Sequence, residues 1–220
     1  MVGNRWTSSA RRRVGLITVL IVSVGSVLFP SGSASAKVYG TARWSPSGVY
    51  DGVRANLRVT RIGLSTNSNN FINADLWVLP DATNWVEQGA NRKDDAPFRW
   101  FWAEGCGTTY AEHYPAVSTF VNSTYESKIS WNVNSWAIYR DGAFLANSST
   151  CHFYEIYQAH TGTESELSNN VITGTSTVLE KRAASNKVWS SNWGGATLRQ
   201  DPPTSVSWTT LYGGISFSLN

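Results

Sequence analysis

The sequence predicts an all-β fold, an antiparallel sandwich or barrel, and three observations predict it. Apolar and polar residues alternate with period two through most of the chain after residue 50. No segment sustains the 3.6-residue apolar period of an amphipathic helix. The alternating runs are short and close together, and Asn, Ser, Gly and Asp punctuate them. Many short strands joined by tight turns close on themselves only as paired sheets or a barrel.

The clearest strand is the run in which Val53, Ala55, Leu57 and Val59 point one way and Arg54, Asn56, Arg58 and Thr60 the other, the pattern of a half-buried strand. Strands are expected at 72–79, 85–89, 98–103, 109–114, 125–131, 136–140, 144–147, 152–158, 171–179 and 205–217. Asp141-Gly142 separates two of these runs and predicts a type I′ hairpin, whose two central residues both need positive φ. Ser65 to Asn70 reads as a surface loop, and 179–184 is the one candidate helix. No internal repeat or second domain is visible.

Residues 1–36 read as a secretory signal peptide: Arg11, Arg12 and Arg13, then a mostly apolar run from Val14 to Phe29, then Ala34-Ser35-Ala36. Positive charge, apolar core and small residues at the cleavage site are the three parts of such a leader. The run is shorter than the ~20 apolar residues a spanning helix needs. A secreted, extracellular β-sandwich domain over 37–220 is the expectation, with no membrane attachment after cleavage. Removing the four arginines of the leader leaves 14 basic against 15 acidic residues, a net of −1. That balance excludes the clustered basic excess of a nucleic-acid binder. Cys106 and Cys151 are the only cysteines, and outside the cytoplasm such a pair is expected as one structural disulfide. Closing that loop is worth about 4 kcal/mol in the chain-entropy account.

Several chemistries lack their residues. There is no G-x-S-x-G elbow and no Gly-rich phosphate loop with Lys. The three histidines, His113, His152 and His160, form no H-E-x-x-H pair, so no metal or other cofactor is expected. What remains is carboxylates and amides on strands. Glu87 and Gln88 are adjacent, so alternation sends them to opposite faces. Glu104 and Glu112 follow in the aromatic region, and Glu164 and Glu166, two apart, share a face if extended. Acid–base hydrolysis needs two such groups close together, one ionised to take a proton from water and one neutral to donate. Burial against aromatic walls supplies the neutral one. Ten of the eleven tryptophans follow residue 36; Trp77, Trp100 and Trp102 are the candidates for lining a groove.

The order of four stretches resembles the secreted glutamic peptidases with a concanavalin-like β-sandwich, the eqolisins, and more loosely the neprosin-type peptidases. Arg43-Trp44-Ser45 with the strand from Tyr50 to Arg61 is similar to that family's Trp-Gly-Gly opening and first long strand. Ala74-Asp75-Leu76-Trp77-Val78 resembles its Trp-Val strand, Val86-Glu87-Gln88-Gly89 its Leu-Gln-x-Gly strand, and 98–103 its Trp-Tyr-Glu-Trp-Tyr-Pro strand. The segment 162–167 falls where the family places its catalytic glutamate. The resemblance implies a monomeric jelly-roll sandwich whose dyad pairs Glu87 or Gln88 with Glu164 or Glu166. One departure is that Glu87, not Gln, stands two residues before the Gly. Another is that Asn192-Trp193-Gly194-Gly195-Ala196 matches the opening motif but lies near the C-terminus, where it reads as an edge turn. The expected function is acid-acting hydrolysis of an extracellular polypeptide. A non-catalytic module that binds glycan or cell-wall polysaccharide is the alternative. Glycoside hydrolysis is weakened by the absence of an E-x-D-x-x-E pattern.

Overall fold

A computed structural model describes residues 37–66, 69–148 and 154–220. The expected leader at 1–36, Cys151, His152 and part of the loop from Ser65 to Asn70 lie outside the described residues. Two antiparallel sheets pack face to face. One has the order β13 (Thr197–Gln200), β1 (Val38–Trp44), β10 (Gln158–Ser165), β3 (Phe71–Leu79), β4 (Trp85–Lys93), β5 (Arg99–Cys106), β6 (Thr109–His113). The other runs β14 (Ser205–Thr210), β15 (Gly214–Leu219), β11 (Val171–Ala183), β2 (Tyr50–Gly63), β7 (Thr124–Asn132), β8 (Ser135–Arg140), β9 (Ala143–Asn147), with β12 (Trp189–Ser191) paired to β11. Among the described residues no helix is long and apolar enough to cross a membrane.

Alternation decides which side chains fill the space between the sheets. Val53, Ala55, Leu57 and Val59 of β2 are all buried, as are Ile72, Ala74, Leu76 and Val78 of β3. The partners of β3 on its two sides, β4 and β10, follow the same phase. Phe71, Asn73, Asp75, Trp77 and Leu79 are thereby turned to the outer face of the seven-stranded sheet. That outer face carries the site described below.

The Asp141-Gly142 hairpin forms between β8 and β9, with φ of 50° and 77° at the two turn residues. Three expectations are corrected. Residues 179–184 are not helical: Val178, at φ 53°, makes a bulge, and β11 continues as strand through Ala183 with Glu180 beside Arg54. Such a bulge shifts the in–out phase by one residue, and this broke the period-two pattern in the sequence. The run 205–217 is two strands, β14 and β15, joined by a turn with Tyr212 at φ 56°. Finally, 152–158 is a connection over its described part: Ile156 and Tyr157 donate to the carbonyls of Tyr50 and Leu79, and β10 begins only at Gln158.

The Trp-Gly-Gly string near the C-terminus is a turn into the edge strand β13, closed by Ala196 N–H donating to Trp193 O at 2.9 Å, and its tryptophan plugs the core. Trp193 is fully buried, stacks on Trp44 with centroids 5.9 Å apart, and donates its indole N–H to Glu180 O. Gly195, at φ 80°, lets the chain turn back after it. Removing so large a buried ring leaves a cavity as well as losing apolar burial. Trp193→Ala should lower the unfolding free energy by about 3–5 kcal/mol, read from urea denaturation; a change under ~1 kcal/mol would mean the ring is not a core element.

Candidate active site

The outer face of the seven-stranded sheet holds a cleft of about 330 Å³ lined by residues of β1, β10, β3, β4, β6 and β13. Strand register decides its floor. Glu164 lies opposite Asn73, Gly162 opposite Asp75, and His160 opposite Trp77. Across β4, Gly89 lies opposite Asp75 and Glu87 opposite Trp77. Asp75 therefore has a glycine on each side, and those two gaps give the longer Glu164 and Glu87 side chains room to lean toward it. The glycines are sterically required. A Cβ at Gly89 would stand 2.1 Å from Ala74 O, and one at Gly162, whose φ is 145°, would stand 2.2 Å from Gly40 O.

The result is a diagonal of three carboxyl groups, Glu164, Asp75 and Glu87. Oxygens from all three lie within 4.8 Å of one another, and every member is buried. Two donors serve one end: Lys37 Nζ is 2.8 Å from Glu164 Oε1, and Tyr39 donates to the same oxygen at 3.2 Å. Burial acts against the Lys37 charge, yet Glu164 outweighs it and the ammonium pKa is raised. Burial, then Glu164, also raises the Tyr39 phenol. Asn73 lies close enough to Asp75 to act on it but outside hydrogen-bonding geometry, so neither Asp75 oxygen has a full hydrogen-bond partner among the described residues.

Three acids this close and this buried resist ionising together. Burial raises Asp75 well above the ordinary carboxylate value, Glu164 adds to that, and Asn73 and Lys37 temper it. Glu87 is raised in the same way, by burial first, then Asp75 and Glu164. Glu87 is thus a carboxylic acid at pH values where a surface glutamate is charged. Glu164 holds the two contacts that a carboxylate accepts.

Of the expected site residues, Glu87 and Glu164 are brought together. Gln88 is not: it faces the interior, donates to Lys128 O at 2.7 Å and Tyr139 O at 3.0 Å, and accepts from Trp100 Nε1. A strand without a bulge cannot turn it outward. Glu166 follows β10 and is half-buried outside the cleft lining. Of the three tryptophans only Trp77 borders the cleft. Trp100 and Trp102 are corrected: both point into the sandwich core, where Trp100 is fully buried and Trp102 stacks on His113 at 3.8 Å. Glu104, across from Val86, shares that inward phase, and Glu112 is held by Lys93 at 2.6 Å on the far side of the cleft. Cys106 closes β5, but its expected partner is outside the described residues.

Sequence reading missed Asp75, along with Lys37, Tyr39, Arg43 and Arg199. For Asp75 a signal existed: Asn73 and Asp75 put two polar residues on one phase of a strand whose other phase is wholly apolar. Lys37, Tyr39 and Arg43 gave none, because β1 was not recognised as a strand.

The three acids are also a set of hard oxygen donors that could hold a divalent cation such as Ca²⁺ or Mg²⁺. Lys37 already supplies positive charge to Glu164 at salt-bridge distance, so a cation there would compete with it.

No protein-family model and none of the curated proteins matches the chain. Solved structures do. Scytalido-glutamic peptidase with a transition-state-analogue inhibitor superposes with a TM-score of 0.63 at 11% identity, over 84% of this chain and 99% of that one. The fold is that of the glutamic peptidases. SCP-B, a member of the eqolisin family bound to the tripeptide Ala-Ile-His, gives 0.57 at 13% identity with the same coverage. The likeness extends over nearly the whole of each neighbour, so the complete sandwich is shared.

The raised acids couple the fold to pH. Their values in the unfolded chain lie near 3.8 for Asp75 and 4.5 for Glu87, below their folded values, so the native state binds more protons. Their contribution is fully present below about pH 4 and is lost as pH rises through the folded values. Asp75→Asn removes one buried acid. Its melting temperature should match the wild type near pH 3.5 and exceed it increasingly toward neutrality; a pH-independent difference would contradict the burial of a proton there.

Proposed function

We propose that the chain is a secreted, acid-acting endopeptidase that uses Glu164 and Glu87 as a catalytic pair. The observation that carries this is the juxtaposition of an ion-paired glutamate with a buried one, whose pKa that burial raises, at the floor of an open cleft. Glu164 takes a proton from a water as its oxygen attacks the scissile carbonyl carbon. Glu87, still protonated, donates a hydrogen bond to the oxygen that becomes negative, the part an oxyanion hole plays. Collapse of the tetrahedral intermediate expels the amine, which takes the proton from Glu164. Asp75 touches no substrate in this scheme; its proximity helps keep Glu87 protonated. Two fold neighbours crystallised with a peptidase inhibitor and a tripeptide support a peptide as the substrate class. Export through the leader and a disulfide between Cys106 and Cys151 complete the proposal.

Binding of a glycan without catalysis is favoured by one feature, the aromatic residues Tyr39, Trp77, Trp85 and Tyr110 around the cleft. Trp77 weakens it, because the ring is buried and packed edge-on against Tyr39 and His160 and offers no open face for a sugar.

Cleavage of denatured casein followed against pH tests the pair. Activity should rise as pH falls from neutrality through the Glu87 ionisation, and be insensitive to EDTA. Glu164→Gln should lose about 10²- to 10⁴-fold in kcat/KM. Glu87→Gln keeps a donor that does not titrate, so residual activity should extend to higher pH. An alkaline optimum, or loss of activity on chelation, would overturn the assignment.

A further inference from the structure

The cleft is bordered by four cations, Lys37, Arg43, Lys93 and Arg199. Three have an acidic partner. Lys37 pairs with Glu164 at 2.8 Å, Lys93 with Glu112 at 2.6 Å, and Arg199 with Asp201 at 2.6 Å. Arg43 has no ion pair among the described residues, and its Nε is buried without a hydrogen-bond acceptor. A guanidinium stays charged at any working pH, so one positive charge in the cleft has no direct ion pair; burial and Arg199 disfavour it, and the more distant Asp201 charge partly offsets them.

The surroundings of Arg43 keep that charge directed. On β1 it lies opposite His160 of β10 and Thr197 of β13, while Arg199 of β13 lies opposite Thr41. Arg199 is fixed over the Tyr39 ring at 4.0 Å and held by Asp201 through Nε at 3.0 Å. His160 adds no charge. Burial, then Arg43 and Arg199, push its pKa down to about 3, and its Nε2 is engaged by Gln158 at 2.5 Å. Arg43 and Glu87 sit in one row across the sheet, on strands three spacings apart, or about 14 Å between backbones at ~4.8 Å per strand. An extended peptide rises about 3.4 Å per residue, so a group held by Arg43 lies within a few residues of the reacting carbonyl.

We propose that Arg43, flanked by Arg199, forms an anion subsite that selects peptides carrying a carboxylate, an Asp or Glu side chain or a free C-terminus, on the β1–β13 side of the scissile bond. The carboxylate would pair with the part of the Arg43 guanidinium that lines the cleft, in the paired geometry guanidinium groups favour. The subsite's relation to cleavage rests on the peptidase reading, but the anion preference is measurable without it.

The test measures binding by isothermal titration calorimetry at about pH 7, where peptide carboxylates are ionised. Short peptides identical except for Glu, Gln or Lys at one position, each with a free or an amidated C-terminus, are titrated into the wild-type protein, Arg43→Gln and Arg43→Glu. The wild type should bind one carboxylate-bearing peptide roughly tenfold more tightly than its neutral counterpart, as a charge-assisted pair allows. The Glu-against-Gln and acid-against-amide arms identify which carboxylate is held. In Arg43→Gln that ratio should fall to about one, and in Arg43→Glu the preference should pass to Lys. Equal affinity for charged and neutral peptides, no detectable binding of any, or a preference unchanged in both variants would overturn the subsite. A protein that discriminates in this way yet cleaves nothing at any pH retains the subsite and loses the peptidase reading.

Discussion

Mutual repulsion among three buried carboxyl groups is the constraint on which the account of this protein rests. Glu164, Asp75 and Glu87 have oxygens within 4.8 Å of one another. At that separation two full charges repel by about 3 kcal/mol or more even at an effective dielectric of ~20. A shift of one pKa unit corresponds to about 1.4 kcal/mol, so ionising the cluster completely near neutrality is strongly disfavoured. The sheet enforces the proximity. The three residues occupy consecutive rows on adjacent strands, and glycines on both sides of Asp75 leave no bulk to separate them.

From that constraint the division of labour follows. Lys37 and Tyr39 bond directly to Glu164, while Lys37 acts on Asp75 and Glu87 only through space, which breaks the symmetry of the cluster. The proton is left toward Glu87 and Asp75, where burial is the larger influence and neighbouring acids reinforce it. The same asymmetry continues across the cleft: three of its four cations have a direct ion pair and Arg43 has none among the described residues. The cleft thus lines up an acid of raised pKa, an ion-paired glutamate and a cation without an ion pair along one sheet face, the arrangement on which the proposed function rests.

How much of this was legible in the sequence depended on the phase of alternation. Where a strand was regular, as in β2 and β3, period two gave the inward set correctly. It also separated Glu87 from Gln88, although only the structure says which faces out. Where a bulge intervened, at Val178, the same rule failed and strand looked like helix. The aromatic strand β5 misled in another way: Trp100 and Trp102 share a phase, but the wide space between the sheets takes them as core. Abundance of tryptophan marked the size of the interior rather than a groove. Asp75 was the deepest omission. A lone acid in a short apolar strand carries no spacing motif, and its meaning comes from partners 12 and 89 residues away, Glu87 and Glu164, joined only by β-register. The similarity to glutamic-peptidase structures, over 84% of this chain at 11–13% identity, is a likeness of fold.

The most direct measurement of the central claim is a pH titration of the side-chain carboxyls by ¹³C NMR, on protein labelled at Asp and Glu. At least one carboxyl resonance should stay protonated to pH values well beyond the usual 3.9–4.3 midpoints, as burial of Asp75 and Glu87 dictates, and should disappear or shift in Glu87→Gln and Asp75→Asn. Ordinary midpoints for every acidic residue would show that the cluster does not share protons, and the proposed chemistry would have no donor.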